Sequence, residues 1–335
     1  MRKALQLLFV VSVFVVSVTS LLSASPSFAC TPTGFNGLTA ALVNPGNVLG
    51  LTVDATGCDM GIYYSGTDAK VENALVYGAL YYGIMVHGDS TTTNVDIIDS
   101  NINTIGDSPL NGNQRGVAIY YRAFLLTGSA TGRVSGNHIS KYQKGGVVVN
   151  GLGSNVQVQN NEVTGEGPVS YIAQNGIQFG YGSSGSAMKN TVTGHSYTGT
   201  STVSGGIIVV GGPGYGTCPD TNPCAYTTGI QIVQNVLDGN DVGIFLTNLR
   251  ADFGAPDDQT NIKVVNNTIT NPELTNDYGG FGYQAGVSDV GNNDKIINNK
   301  ISGNGYDPAA NPSAYTVNID ADVSFTNRPK VHANK

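Results

Sequence analysis

The 335-residue sequence has no Trp, only four Cys, and charged residues at just 12% of its positions. Lys and Arg total 16 against 23 Asp and Glu, a formal charge of −7. A nucleic-acid partner needs a basic stripe along its phosphates, so this balance excludes one. It also argues against capture of a strongly anionic glycan along the whole surface, leaving room only for a local basic pocket. No heptad or amphipathic helical period runs through the chain, and there is little charge to solvate helix faces. Beyond the first 22 residues no apolar run is long enough to span a bilayer. What the chain has in quantity is Gly, 45 copies, with many Asn, Thr, Ser and Val, the material of short strands and tight turns.

The first residues follow the order of an export signal. Arg2 and Lys3 precede an apolar run from Ala4 to Leu22, and small residues end in Ser27-Phe28-Ala29. Cleavage after Ala29 is expected, giving a secreted or surface-associated protein with no membrane insertion afterwards. An uncleaved anchor and a lipoprotein acylated on Cys30 are the competing readings. Ser27 stands where lipoproteins usually carry Leu. Four Cys allow three pairings, and an oxidising compartment favours disulfides. Cys218 and Cys224 flank the turn-rich PDTNP, so they are expected to pair, leaving Cys30 with Cys58. The spacing is not a zinc pattern, and no metal site is assigned.

Two interleaved motifs organise the rest. One is Asn, any residue, then an aliphatic: DSNI at Asn101, GNHI at Asn137, NNEV at Asn161, KNTV at Asn190, QNVL at Asn235, NNTI at Asn267 and NNKI at Asn299. The other is Gly followed by alternating apolar residues: GIMV from Gly83, GVAI from Gly116, GVVV from Gly146, GIQF from Gly176, GIIV from Gly206 and GIFL from Gly243. Recurrence every 24 to 45 residues is the signature of a solenoid. Aliphatics at alternate positions would stack inside: Ile84/Val86, Val117/Ile119, Val147/Val149, Ile177/Phe179, Ile207/Val209 and Ile244/Leu246. The Asn would turn a corner in left-handed conformation and bond the Asn of the next coil.

These patterns predict an all-β fold, a right-handed parallel β-helix. Its expected boundaries are a signal peptide over 1–29, a cap and first strands over 30–60, the β-helix over 61–325, and a loose tail over 326–335. A short capping helix is expected over 36–48. Excess length near 106–114, 165–174, 194–204 and 271–284 falls at one phase of the coil and should build a wall along one side. The stretches PGYGTCPDTNPCAYTT and RADFGAPDDQT fall at the other phase and should widen the opposite edge.

The repeats, including VNNTITN and INNKISGNGY, resemble those of the pectate lyase-like superfamily over roughly residues 35–325. The resemblance implies secreted lyases, hydrolases, epimerases or non-catalytic surface proteins acting on extracellular polysaccharide. Its catalytic motifs are largely missing. Asp257-Asp258 lies in an insertion, His87-Gly88 lacks a preceding Gly, Arg328-Pro-Lys330 lies in the tail, and no Asp-Pro-His-Asp string occurs. None is carried over.

Two functional readings therefore stand side by side. In one the protein binds extracellular polysaccharide without turning it over. In the other it is a lyase or uronate epimerase whose loop wall places Lys144, Tyr171, His195 and Tyr197 as acid–base groups. Tyr120, Tyr142, Gln174 and Gln178 are the candidate substrate-binding residues, the tyrosines for stacking on sugar rings. No cofactor is expected. Asp238, Asp241, Asp289, Asp294, Asp320 and Asp322 offer oxygens for Ca2+, without the spacing of a known calcium loop.

Overall fold

A computed structural model describes residues 28–219, 223–321, 330–332 and 334, so the export segment and Asp322 lie outside the described residues. The chain is a right-handed parallel β-helix. Each coil lays one strand in each of three sheets, which among the described residues run to 11, 10 and 9 strands. We call them the floor sheet, the second sheet and the third sheet, in the order the chain visits them.

The floor sheet holds the Gly strands. Ile84, Ile119, Val147, Ile177, Ile207 and Ile244 stack in register, and Val86, Tyr121, Val149, Phe179, Val209 and Leu246 form the next rung. All are buried. Burying each such side chain contributes ~1.5–3 kcal/mol, and parallel pairing repeats the gain in every coil. The expected pair Val117/Ile119 is displaced by one rung. Ala118, not Gly116, occupies the corner that Gly83 and Gly146 hold in adjacent coils, so Val117 faces outward and Tyr121 goes in. That corner is tight because neighbouring coils approach closely. A Cβ on Gly176 would lie 2.5 Å from the Gly206 carbonyl oxygen.

The Asn ladder closes the corner between the second and third sheets. Asn137, Asn161, Asn190, Asn235, Asn267, Asn299 and Asn334 are linked head to tail, each Nδ2 donating to the next Oδ1 at 2.9–3.0 Å. Two details differ from expectation. Ser100, not Asn101, begins the ladder, its N–H donating to Asn137 Oδ1. The left-handed residues stand just before ladder Asn residues, at Asn160, Lys189, Gln234, Asn266 and Asn298.

Both ends also depart from the sequence reading. Residues 36–48 form no helix. Thr39–Val43 is a strand held between Thr31–Pro32 and Met60–Ser65, after a turn in which Asn36 and Gly37 have positive φ. So short a helix is marginal alone, and hydrogen bonding along both strand edges outweighs it. Strands of the β-helix therefore already run through the segment expected to hold the capping helix. At the other end, Lys330–His332 pairs with Lys295–Ile297, and Asn334 completes the ladder, so this part of the tail is integrated. Both disulfides form as expected, Cys30–Cys58 and Cys218–Cys224, with Cα–Cα distances of 5.4 and 4.9 Å. No described helix is long and apolar enough to cross a membrane.

Candidate functional site

Strand alternation gives the floor sheet an outer face, and the register sets its rows. Tyr120, Val148, Gln178, Ile208 and Phe245 lie side by side on successive coils, flanked by Arg122, Asn150, Gly180, Val210 and Thr247. Insertions at the two corners that border this sheet rise as walls, so the face becomes the floor of a groove of about 260 Å³. Lys144, Ala173, Asn175, Thr202 and Val203 line one side, and Tyr181 and Tyr215 the other.

The groove is aromatic and largely uncharged. Tyr215 meets Tyr181 edge-on at 6.3 Å, and its hydroxyl lies 2.6 Å from that of Thr247. Phe124 supports Tyr181 from behind at 6.0 Å. The Cys218–Cys224 bridge closes the insertion that carries Tyr215, where the Cys224 N–H also donates to the Gly216 carbonyl. Fixing a loop in this way lowers the ordering cost of a binding wall. Tyr82 and Tyr120, 5.1 Å apart, continue the aromatic surface toward the N-terminal coils. Toward the other end Tyr283 and Tyr315 stack in parallel at 5.6 Å, and both hydroxyls donate to Asp320.

Polar groups in the groove are few and placed. Gln178 Nε2 donates to Asn150 Oδ1 at 3.0 Å, and Lys144 Nζ donates to the Ala173 carbonyl at 2.9 Å. Burial lowers the Lys144 pKa by disfavouring its charge. No carboxylate is among the residues lining the groove. Among the described residues no group of three or more His, Cys, Asp and Glu is arranged to hold a metal ion.

The four proposed acid–base residues do not converge. His195 has no accessible surface. Its Nδ1 and backbone N–H both donate to Asn240 Oδ1, which leaves Nε2 to accept from the Tyr142 hydroxyl. Burial lowers the His195 pKa to about 4 and raises that of Tyr142. His195 and Tyr142 are thus a core pair inside the coil. Gln174 is buried too, accepting from the Glu166 N–H and donating to the Tyr142 carbonyl. Gln143 and Gln284 clamp neighbouring wall loops in the same manner. Tyr197 builds the wall through its backbone, donating to Asp241 and accepting from Asn276. The Tyr171 backbone carbonyl faces Gly112 in an adjoining loop, and its side chain is not among those lining the groove. Lys144 and Gln178 line the groove, and Tyr120 lies on the same outer face, toward the N-terminal coils.

Sequence reasoning placed Phe245 in the outward row of the Gly strands without giving it a role, and passed over Tyr181 and Tyr215. Phe245 and Tyr181 carry the signal of phase, since they stand at or just beyond the outward positions of Gly strands. Tyr215 carries the signal of a large residue beside a disulfide-closed insertion. A second cluster also went unread. Tyr63 O–H, His87, Asp89 and Arg122 form a chain in which His87 Nδ1 lies 2.7 Å from Tyr63 and Nε2 lies 3.0 Å from Asp89, which also pairs with Arg122. Phe35 packs over His87 and Arg122. Burial, followed by the Arg122 charge, lowers the His87 pKa to about 4. Covered in this way, the cluster anchors the N-terminal turn to the floor.

The fold and groove together define a parallel β-helix with a walled, aromatic face. No protein-family model matches the chain. No curated protein matches it either. Two solved structures are similar. One is the catalytic unit of a thermostable GH87 α-1,3-glucanase from Streptomyces thermodiastaticus strain HF3-3, at 12% identity and a TM-score of 0.47, covering 88% of this chain and 49% of that one. The other is a mutant of DFA-IIIase from Arthrobacter chlorophenolicus A6, at 12% identity and a TM-score of 0.36, covering 79% and 58%. The chain therefore spans about half the length of each. Nothing of either protein's activity is carried to this one; the fold rests on the sheet register above.

Proposed function

We propose that this protein is a secreted, non-catalytic polysaccharide-binding β-helix, with the glycan lying in the groove over the floor sheet. The observation that carries the reading is the set Tyr181, Tyr215 and Phe245 around a groove with amide groups and no lining carboxylate. Aromatic faces with polar rims suit the apolar faces and hydroxyl edges of sugars. Coils spaced ~4.8 Å apart offer an extended chain a repeating surface along the rod. Glycoside hydrolysis ordinarily needs two carboxylates set across the scissile bond, and the groove lining supplies none.

One observation favours a second reading, β-elimination or epimerisation of a uronate. Lys144 sits in the groove with its pKa lowered by burial, as a general base requires. His195 lies in the core rather than at the groove, so this reading loses the acid–base partner expected for Lys144.

A panel of neutral and uronate-containing polysaccharides tests both. The expected result is retention of the protein by one or more glycans, no unsaturated product and no new reducing ends. Loss of retention in Tyr181→Ala and Phe245→Ala supports the groove. Turnover abolished in Lys144→Ala would replace binding with catalysis, and retention unchanged by the aromatic substitutions would move the site elsewhere.

A further inference from the structure

The corner that joins the floor sheet to the second sheet at residues 289–294 carries a group of oxygens apart from the groove. Asp289 and Asp294 are 3% and 0% exposed, and their side chains interact directly. Asp294 Oδ1 accepts from Thr260 Oγ1 at 2.6 Å and from the Ile262 N–H at 2.7 Å, while Asp289 Oδ1 accepts from the Gly291 N–H at 2.7 Å. The second oxygen of each carboxylate has no donor. Nor has Oδ1 of Asn292, which is 3% exposed. The Asn292 amide cannot be turned over to find one, because its nitrogen is committed to the carbonyls of Pro256 and Asp257. Gly291 completes the arrangement. A Cβ there would overlap Asp294 Oδ2 and stand 2.7 Å from Thr260 Oγ1 and 3.0 Å from Asp289 Oδ1, so only Gly leaves these oxygens their space.

Two buried carboxylates in contact, with the negative charge of each raising the other's proton affinity, are costly without a compensating positive charge. Among the described residues neither makes an ion pair with Lys, Arg or His. We propose that Asp289, Asn292 and Asp294 hold a divalent cation, Ca2+, at this corner. The donors are all oxygen, two of them anionic, which selects a hard cation over zinc or copper. A single shared proton would join the two carboxylates but leave Asn292 Oδ1 without a donor. A cation held by the two carboxylates and by Asn292 Oδ1 would give each of the three oxygens a partner. Because Thr260, Ile262, Pro256 and Asp257 are tied to the same residues, the ion would fix the insertion over 249–262 to the rod.

The test begins with chelator-stripped protein titrated with CaCl2. Calorimetry should show one equivalent bound and a raised Tm, lost in Asp294→Asn and kept in Asp257→Asn, which removes an exposed carboxylate of the same insertion. Hydrogen exchange on the wild type locates the site without relying on a variant that folds poorly: CaCl2 should slow exchange in peptides covering 256–262 and 289–294. Absence of uptake, or uptake that leaves exchange in these peptides unchanged, overturns the proposal. So does Asp294→Asn binding as well as wild type.

Discussion

The corner between the second and third sheets and the groove over the floor sheet are built from the same repeat but on opposite terms. At the corner each coil from Asn137 onward spends the same residue on the same bond, and a ladder Asn such as Asn161 has its amide fully engaged and almost no exposure. Over the groove every coil differs, and side chains such as Tyr215 and Gln178 keep accessible surface. The first region is where substitution should cost stability, and the second is where it should cost binding. Regularity marks the scaffold here, and departure from regularity marks the site.

The strongest test of this contrast is Asn190→Ala. It removes the acceptor for the Asn161 N–H and Nδ2, and the donors to Asn235 Oδ1 and the Val158 carbonyl. Each buried group left unsatisfied costs ~1–3 kcal/mol, so chemical denaturation should show the chain severely destabilised or unfolded. Tyr215→Ala, at an exposed wall position, should shift the denaturation midpoint far less. Equal losses would erase the distinction.

Next in size is a pH effect from the buried pair that the sequence suggested was catalytic. His195 has a folded pKa of about 4, below its ordinary 6.5, so its neutral form is the one the fold favours. The stability it contributes is present above pH 6.5 and lost as pH falls through 4, on the order of 3 kcal/mol. His87 acts in the same direction over the same window. Asp241 opposes them: burial raises its folded pKa from 3.8 to about 6, so its contribution is full below 3.8 and lost as pH rises through 6. Asp289 and Asp294 are raised by burial as well and act with Asp241, so the His195 contribution is read from the difference between variant and wild type rather than from the net slope. His195→Phe should have a lower Tm at neutral pH and a shallower acid slope. An unchanged slope would mean that His195 is protonated in the fold, which a core residue accepting from Tyr142 does not permit.

How much of this was legible follows from the same contrast. The ladder Asn residues, the inward aliphatics and both disulfides could be read because repetition fixes their surroundings from one coil to the next. The displaced register at Ala118 and the Ser100 start were missed because a motif match does not weigh the neighbouring coil, whereas hydrogen bonding between coils does. His195 misled for a related reason. A polar residue beside a loop insertion looks available to solvent, but Asn240 and Tyr142, 45 and 53 residues away, draw it inside. No local pattern reports contacts of that span. The groove aromatics were legible in part: their phase and both insertion edges were visible, but which side chain of an insertion turns over the floor is set by contacts that no repeat reports.

A smaller effect is expected inside the groove itself. Removing one ring, as in Tyr181→Ala, should weaken retention by a glycan roughly tenfold, about 1.4 kcal/mol, while leaving Tm near the wild-type value. Affinity electrophoresis in gels containing the retained polysaccharide reads the first quantity and a thermal melt the second. Loss of both together would mean that the wall, rather than the ring, had been damaged.

Tyr171→Phe should do least of all. The residue belongs to the loop wall by sequence and was a natural acid–base candidate, but it is not among the residues that line the groove. Its hydroxyl pKa is raised by partial burial and then by Glu166, which makes the phenol a poorer proton donor. Removing the hydroxyl leaves the ring and its packing intact, so glycan retention and Tm should both match wild type. A selective loss of retention would carry the glycan path off the floor sheet and over the wall. The repeat-breaking loops would then be the binding surface, with the aromatic floor as their support.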